Sequence, residues 1–124
     1  MWRSRTAGDE NHAAAHGYLE HFDGLVVTSA WVLTELANYL AGTGNRNAFV
    51  RLLRELRKDA QVVIVPPGEE FFERGIELYA ARADKRWSLT DCISFLIMEE
   101  RGITDALTTD HHFEQAGFRA LLKP

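Results

Sequence analysis

"QVVIV", residues 61–65, carries four β-branched residues in a row with no polar alternation among them. A strand with one wet face alternates polar and apolar side chains, whereas an unbroken β-branched run is buried on both faces. Pro66-Pro67 follows at once, ends the strand and leads into a helix predicted over 69–83. A strand covered on both sides belongs in a parallel sheet flanked by helices. Working upstream, Leu25–Thr28 reads as a second short buried strand. The helix after it spans 29–41, where Val32, Leu36 and Leu40 recur at i, i+4 and i+8 and Gly42 and Gly44 end the run. The next helix covers about 45–59. It has Phe49, Leu52, Leu53 and Leu56 on one face and Arg46, Arg51, Arg54, Arg57 and Lys58 on the other. Downstream, a helix over 88–101 closes at Gly102, and Ala106–Thr109 is a strand candidate. Residues 111–116 make a turn or short helix, and Arg119–Leu122 a last strand. Residues 9–22 read as a helix with Asp9 as N-cap. Strands alternating with helices give an α/β fold with a parallel sheet, and ligands of such folds bind at the carboxyl ends of the strands.

With 124 residues, 46% apolar and 26% charged, a single globular domain over 1–124 is expected. Cys92 is the one cysteine, so no internal disulfide forms, which suits a reducing compartment. No apolar run is long enough to span a bilayer, and MWRSRTAGDENH lacks the apolar stretch of a secretion signal. A cytoplasmic location is the expectation. The net charge of −4 argues against a simple basic-groove binder of nucleic acid. It is compatible with an enzyme that reaches phosphates through a cation held by carboxylates.

Three acids stand out. Asp91 sits at the mouth of the apolar run WSLTDCISFLIM, residues 87–98. Ser88-x-x-Asp91 is a capping-box pattern, so a purely local role for Asp91 is open. Asp110 follows Ala106–Thr109 and reads equally as a cap for residues 111–116. Glu35 lies with Trp31 and Asn38 at the margin of the Val32/Leu36/Leu40 stripe, where a solvated helix glutamate is the ordinary reading. Taken together, one acid follows a strand, one ends a strand, and one opens the helix leading into that strand. Clustered carboxylates repel, and a hard divalent cation with oxygen ligands offsets the repulsion. The arrangement points to phosphodiester chemistry.

The stretches DENHAAA (9–15), VTSAWVLTELANYL (27–40), DKRWSLTDCISFLIM (84–98) and ALTTDHHFEQAGF (106–118) resemble PIN-domain proteins of the VapC type, the ribonuclease toxins of toxin–antitoxin pairs. The resemblance covers nearly the whole chain. It implies a three-layer α/β/α sandwich with a central parallel sheet, and a Mg²⁺- or Mn²⁺-dependent endoribonuclease site built from acids. By motif, Glu35 matches the acid of the TEL segment, Asp91 that of SLTD and Asp110 that of T-x-D, so these three would hold the metal. Thr108 matches the small hydroxyl residue of the last motif. Asp84 falls on a family-typical position as an accessory acid or a structural residue, and Ser88 as the cap that aims Asp91. The implied partners are an RNA substrate, a VapB-like antitoxin and a second copy of the chain in a homodimer, with no membrane.

One departure stands against this. The family begins with a hydrophobic strand ending in an Asp, the first metal ligand, and residues 1–8 hold neither acid nor such a strand. Asp9 matches the later D-x-x-H position. The expectation is a chain that enters just after the first strand, through a misassigned start, a decayed gene, or a real short form using another residue. Two further functions therefore compete with the nuclease. One is a catalytically inactive PIN-like module that binds antitoxin or RNA. The other is an unrelated Mg²⁺-dependent phosphohydrolase, for which no glycine-rich phosphate loop is present. Among the remaining residues, His12 and His16 are four apart but lack a third ligand. His112 reads as structural and His111 as a phosphate contact. Cys92, Trp87 and Phe95 read as core. Arg82, Lys85 and Arg86 read as a charged loop or RNA backbone contacts, and the basic face at 46–58 as a solvated helix face or as an RNA or partner surface.

Overall fold

The structure, a computed structural model, describes residues 24–122. The expected helix over 9–22, the pair His12 and His16, Asp9, and the missing first strand all fall outside the described residues. The elements in chain order are β1 (Val26–Ser29), α1 (Ala30–Gly42), α2 (Arg46–Lys58), β2 (Val62–Val65), α3 (Glu69–Ala81), α4 (Leu89–Glu100), β3 (Asp105–Ala106), α5 (His111–Gln115) and β4 (Arg119–Ala120).

Both strand pairings are parallel. β1 runs beside β2 with Val26 opposite Val62 and Val27 opposite Val63, and β3 runs beside β4 with Asp105 opposite Arg119. Among the described residues the strands form these two separate pairs. The β-branched run does what an unbroken apolar strand must, because alternate side chains leave opposite faces. Val63 and Val65 join Val27 in one core with Ile93, Phe95, Ile97 and Met98 of α4. Val62 and Ile64 join Val26 in a second core with Leu33, Leu36 and Leu40 of α1 and Leu52 and Leu56 of α2. Ala106 belongs to the first core and Leu107 to the second. The strands thus separate two helical layers, as an α/β/α sandwich requires. No helix among the described residues is long and apolar enough to cross a membrane.

The expected strand Ala106–Thr109 is corrected to Asp105–Ala106, with a single bridge at Leu107. The reason is local hydrogen bonding. The Thr108 N–H turns back to the Ala106 carbonyl at 3.0 Å, and the Thr108 hydroxyl accepts from the Asp110 N–H at 3.0 Å. Such bonds offer the backbone an alternative to the ladder. β4 likewise ends at Ala120 rather than Leu122.

One close approach shows how α4 sits. It lies against α3 where Gly75 faces Ile93, and a Cβ built at Gly75 would stand 2.4 Å from Ile93 Cγ1. Cys92 is fully buried, as expected of a small apolar residue, and burial pushes its thiol pKa up. Gly75→Ala is therefore expected to lower stability by about 1–3 kcal/mol despite alanine's better helix propensity, because the added methyl would overlap the fully buried Ile93. Urea denaturation with a lower midpoint and an unchanged slope is the result to look for. Cys92 is expected to resist thiol reagents in the native protein and to react fully once unfolded; rapid native labelling would contradict its burial.

Candidate active site

The site is built at one helix start. Ser88 caps α4 from extended backbone, accepting a hydrogen bond from the Asp91 N–H at 3.0 Å, and the Ser88 N–H donates to Asp91 Oδ2 at 3.0 Å. The capping box read from the sequence is complete. Asp91 is nevertheless fully buried, which a cap on a solvated helix would not be. A buried carboxylate needs further donors. One lies across the fold: His112 Nδ1 stands 3.3 Å from Asp91 Oδ2 and 3.4 Å from Asp110 Oδ1. Both neighbours are carboxylate oxygens, so the Nδ1–H tautomer suits the site, with its hydrogen bond to Asp91 Oδ2 and with Asp110 Oδ1 alongside at ion-pair distance.

Asp110 arrives at the same point by its own local logic. It caps α5, accepting from the His112 N–H through Oδ1 at 3.0 Å. The Thr108 hydroxyl holds the Asp110 N–H, so Thr108 aims the carboxylate through the backbone. His111 is exposed beside it, its ring 4.5 Å from that of His112. Aromatic side chains support the floor. Trp87 and Phe95 are buried edge to face at 5.0 Å, Phe95 and Phe113 at 4.9 Å, and the Trp87 indole N–H donates to Gln115 Oε1 at 3.1 Å.

Ser88, Asp91, Thr108 and Asp110 are thus brought together, with His112 as the junction. Glu35 stands half-buried on α1, at the margin where its stripe position put it, and these bonds do not involve it. Asp84 is elsewhere. Both its oxygens take an Arg82 fork, Nε and Nη2 each at 3.0 Å, and the guanidinium holds its carboxyl below the usual range. Both readings of Asp84, accessory acid and structural residue, remain compatible with this ion pair. The reach of His112 to both aspartates is the part that sequence reasoning missed. Only the residue's structural character was legible, because the bond to Asp91 spans 21 positions of chain. The arginines and lysine of the 46–58 face are all exposed.

Residues 4–119 match the PIN domain. The chain belongs to the PIN domain family. By sequence, no curated protein matches it. In fold it is similar to the crystal structure of Mycobacterium tuberculosis VapC20, a sarcin–ricin loop cleaving toxin, with a TM-score of 0.78 and 25% identity. That likeness covers 95% of this chain and 96% of the other. The resemblance to VapC-type PIN proteins is borne out at the level of both family and fold.

PIN nucleases use a divalent cation, and the donors here fit one. Two carboxylates converge on one point, and Asp110, His111 and His112 each offer a ligand atom within 4.8 Å of the others. Oxygen donors of this kind suit a hard cation, with imidazole tolerated more readily by Mn²⁺ than by Mg²⁺. Because Ser88 both caps α4 and orients Asp91, Ser88→Ala is expected to lower stability by about 0.5–2 kcal/mol. Ser88→Thr, which keeps the hydroxyl, is expected to retain most of it. Thermal melts of the two variants beside wild type check this.

Proposed function

We propose that this PIN domain is an endoribonuclease toxin of a type II toxin–antitoxin system, hydrolysing RNA phosphodiester bonds with a divalent cation held by carboxylates. The observation that carries the reading is the convergence of Asp91 and Asp110 on His112 Nδ1. Asp91, Asp110 and Glu35 are the ligands in this reading. When bound, the cation polarises the scissile phosphate and lowers the pKa of an attacking water. The chain's own residues supply position. Ser88 and Thr108 fix the two aspartates, and the His112 imidazole lies between them. No side chain is placed as a nucleophile, since Cys92 is buried and its thiol is held protonated.

Mg²⁺ or Mn²⁺ is the cation that the oxygen donors favour. The substrate in this reading is RNA, in keeping with the fold's likeness to VapC20, a toxin that cleaves the sarcin–ricin loop. A VapB-like antitoxin and a homodimer belong to the same reading, as does a cytoplasmic location for a chain whose one cysteine is unpaired.

The test is cleavage of a labelled structured RNA by the purified chain with Mg²⁺ or Mn²⁺, and again with EDTA. Cleavage is expected only with the metal, and Asp91→Asn and Asp110→Asn are each expected to reduce it at least a hundredfold while circular dichroism stays native. Asparagine still accepts the Ser88 and His112 backbone bonds, so both variants are expected to fold. Cleavage that persists in both variants would remove these aspartates from the chemistry. Absence of cleavage by the folded wild-type chain would leave the inactive, antitoxin- or RNA-binding module as the function.

A further inference from the structure

A second feature adjoins the aspartates. The loop between α3 and α4, with the last turns of α3, encloses an open groove of about 920 Å³. Its lining includes Ile76, Tyr79, Arg82, Lys85, Arg86 and Trp87, and it ends at Ser88, the residue that caps and orients Asp91. Three of its ten lining residues are cationic and none is acidic, in a chain whose net charge is −4.

The cation in the middle of the groove is held still. The Arg82 guanidinium is forked onto Asp84 by two 3.0 Å bonds, and its central carbon lies 5.0 Å over the Trp87 ring. Trp87 is itself buried and tied to Gln115. A flexible arginine has thereby become a fixed plane, with its side chain still 41% exposed on the groove. Its charge is largely answered by Asp84, so the plane offers stacking rather than net attraction. Lys85 and Arg86 carry the remaining positive charge, and Tyr79 stands 54% exposed on the same groove. Unpaired RNA is recognised in this way, with bases on aromatic or guanidinium planes and phosphates on flanking cations.

We propose that the groove between α3 and α4 is a subsite for unpaired RNA, in which a nucleobase stacks on the Arg82 guanidinium and the adjoining phosphates meet Lys85 and Arg86. The proposal rests on the nuclease reading only for its substrate class. It gives Asp84 a task, which is to hold that plane, and it sets the RNA leading into the Ser88–Asp91 corner.

The test uses the full chain in EDTA, so that binding is read without cleavage, and a short unpaired oligoribonucleotide carrying 2-aminopurine. Wild type is expected to bind and to quench the base through stacking. Arg82→Lys keeps the charge and loses the plane. Its affinity is expected to fall about tenfold with the quench lost and the salt dependence kept. Lys85→Ala with Arg86→Ala is expected to flatten the slope of log affinity against log salt by about 1.4, at roughly 0.7 per phosphate contact. Arg51→Ala with Arg54→Ala, on the exposed face of α2, is expected to change none of these. The proposal is overturned if wild type does not bind the oligonucleotide, or if both groove variants match it in affinity, quench and slope. In either case the groove is left to a protein partner. The two readings fail separately. Groove variants that bind as wild type in a chain that cleaves RNA would sink the subsite alone, and the expected binding pattern in a chain that never cleaves would sink the nuclease alone.

Discussion

The reciprocal bond between Ser88 and Asp91 is the constraint on which the rest turns. An unpaired carboxylate buried as deeply as Asp91 destabilises a fold by several kcal/mol (order of magnitude), so the fold holds only if donors are supplied. The cap supplies one and the His112 imidazole another. Meeting that demand ties the start of α4 to the start of α5, although the two are far apart in sequence. It also draws Asp110 in, since Asp110 Oδ1 accepts from the His112 backbone N–H and lies 3.4 Å from the same Nδ1. Trp87, Phe95 and Phe113, each a sequence neighbour or one turn away from these residues, pack edge to face in the core. A local helix signal has become a tertiary one because its acid is buried.

This explains why a capping reading and a ligand reading of Asp91 are not alternatives. A cap fixes the carboxylate rotamer through Oδ2, and a fixed rotamer is what a metal ligand needs. The same holds at Asp110, whose Oδ1 caps α5 while the Thr108 hydroxyl fixes the backbone leading to it. In both places the residue that a helix would choose for stability is also the residue proposed as a ligand. Functional sites are often where local rules are broken at some cost to stability. Here they are obeyed, and the cost is confined to bringing two like charges together.

The fold was largely legible because its decisive signals are local runs and stripes of apolar residues. The QVVIV run predicts a strand covered on both faces, and its side chains do divide between the two cores. The stripe Val32/Leu36/Leu40 gives α1 within one residue at each end. The β3 boundary was not legible, because Thr108 is as good a strand former as its neighbours until its hydroxyl finds the Asp110 N–H. In the site, the residue types at 88, 91, 108 and 110 carried the resemblance, yet their convergence depends on how α4 and α5 cross. No pattern in a single sequence encodes that crossing. Asp84 shows the converse. Family position suggested an acid near the metal, while the Arg82-x-Asp84 spacing permitted a local fork, and the fork is what forms.

Net charge says little about the local field that a partner meets, for a physical reason. Screening limits each charge's reach to about 8 Å at physiological salt, so a ligand meets local charge rather than the sum. In this chain Asp91 is fully buried and bonded to the Ser88 N–H. Other exposed acids are answered in place, Asp105 by Arg119 across the β3–β4 pair and Glu100 by Arg74 between α3 and α4. What remains beside the Ser88 corner is Lys85 and Arg86, with Arg82 neutralised but held flat. An acidic protein can thus offer RNA a positive approach to a negative centre, provided that the approach lies within a screening length of the centre and the surplus acid lies elsewhere. The sharing of Ser88 between the groove lining and the Asp91 cap meets that condition.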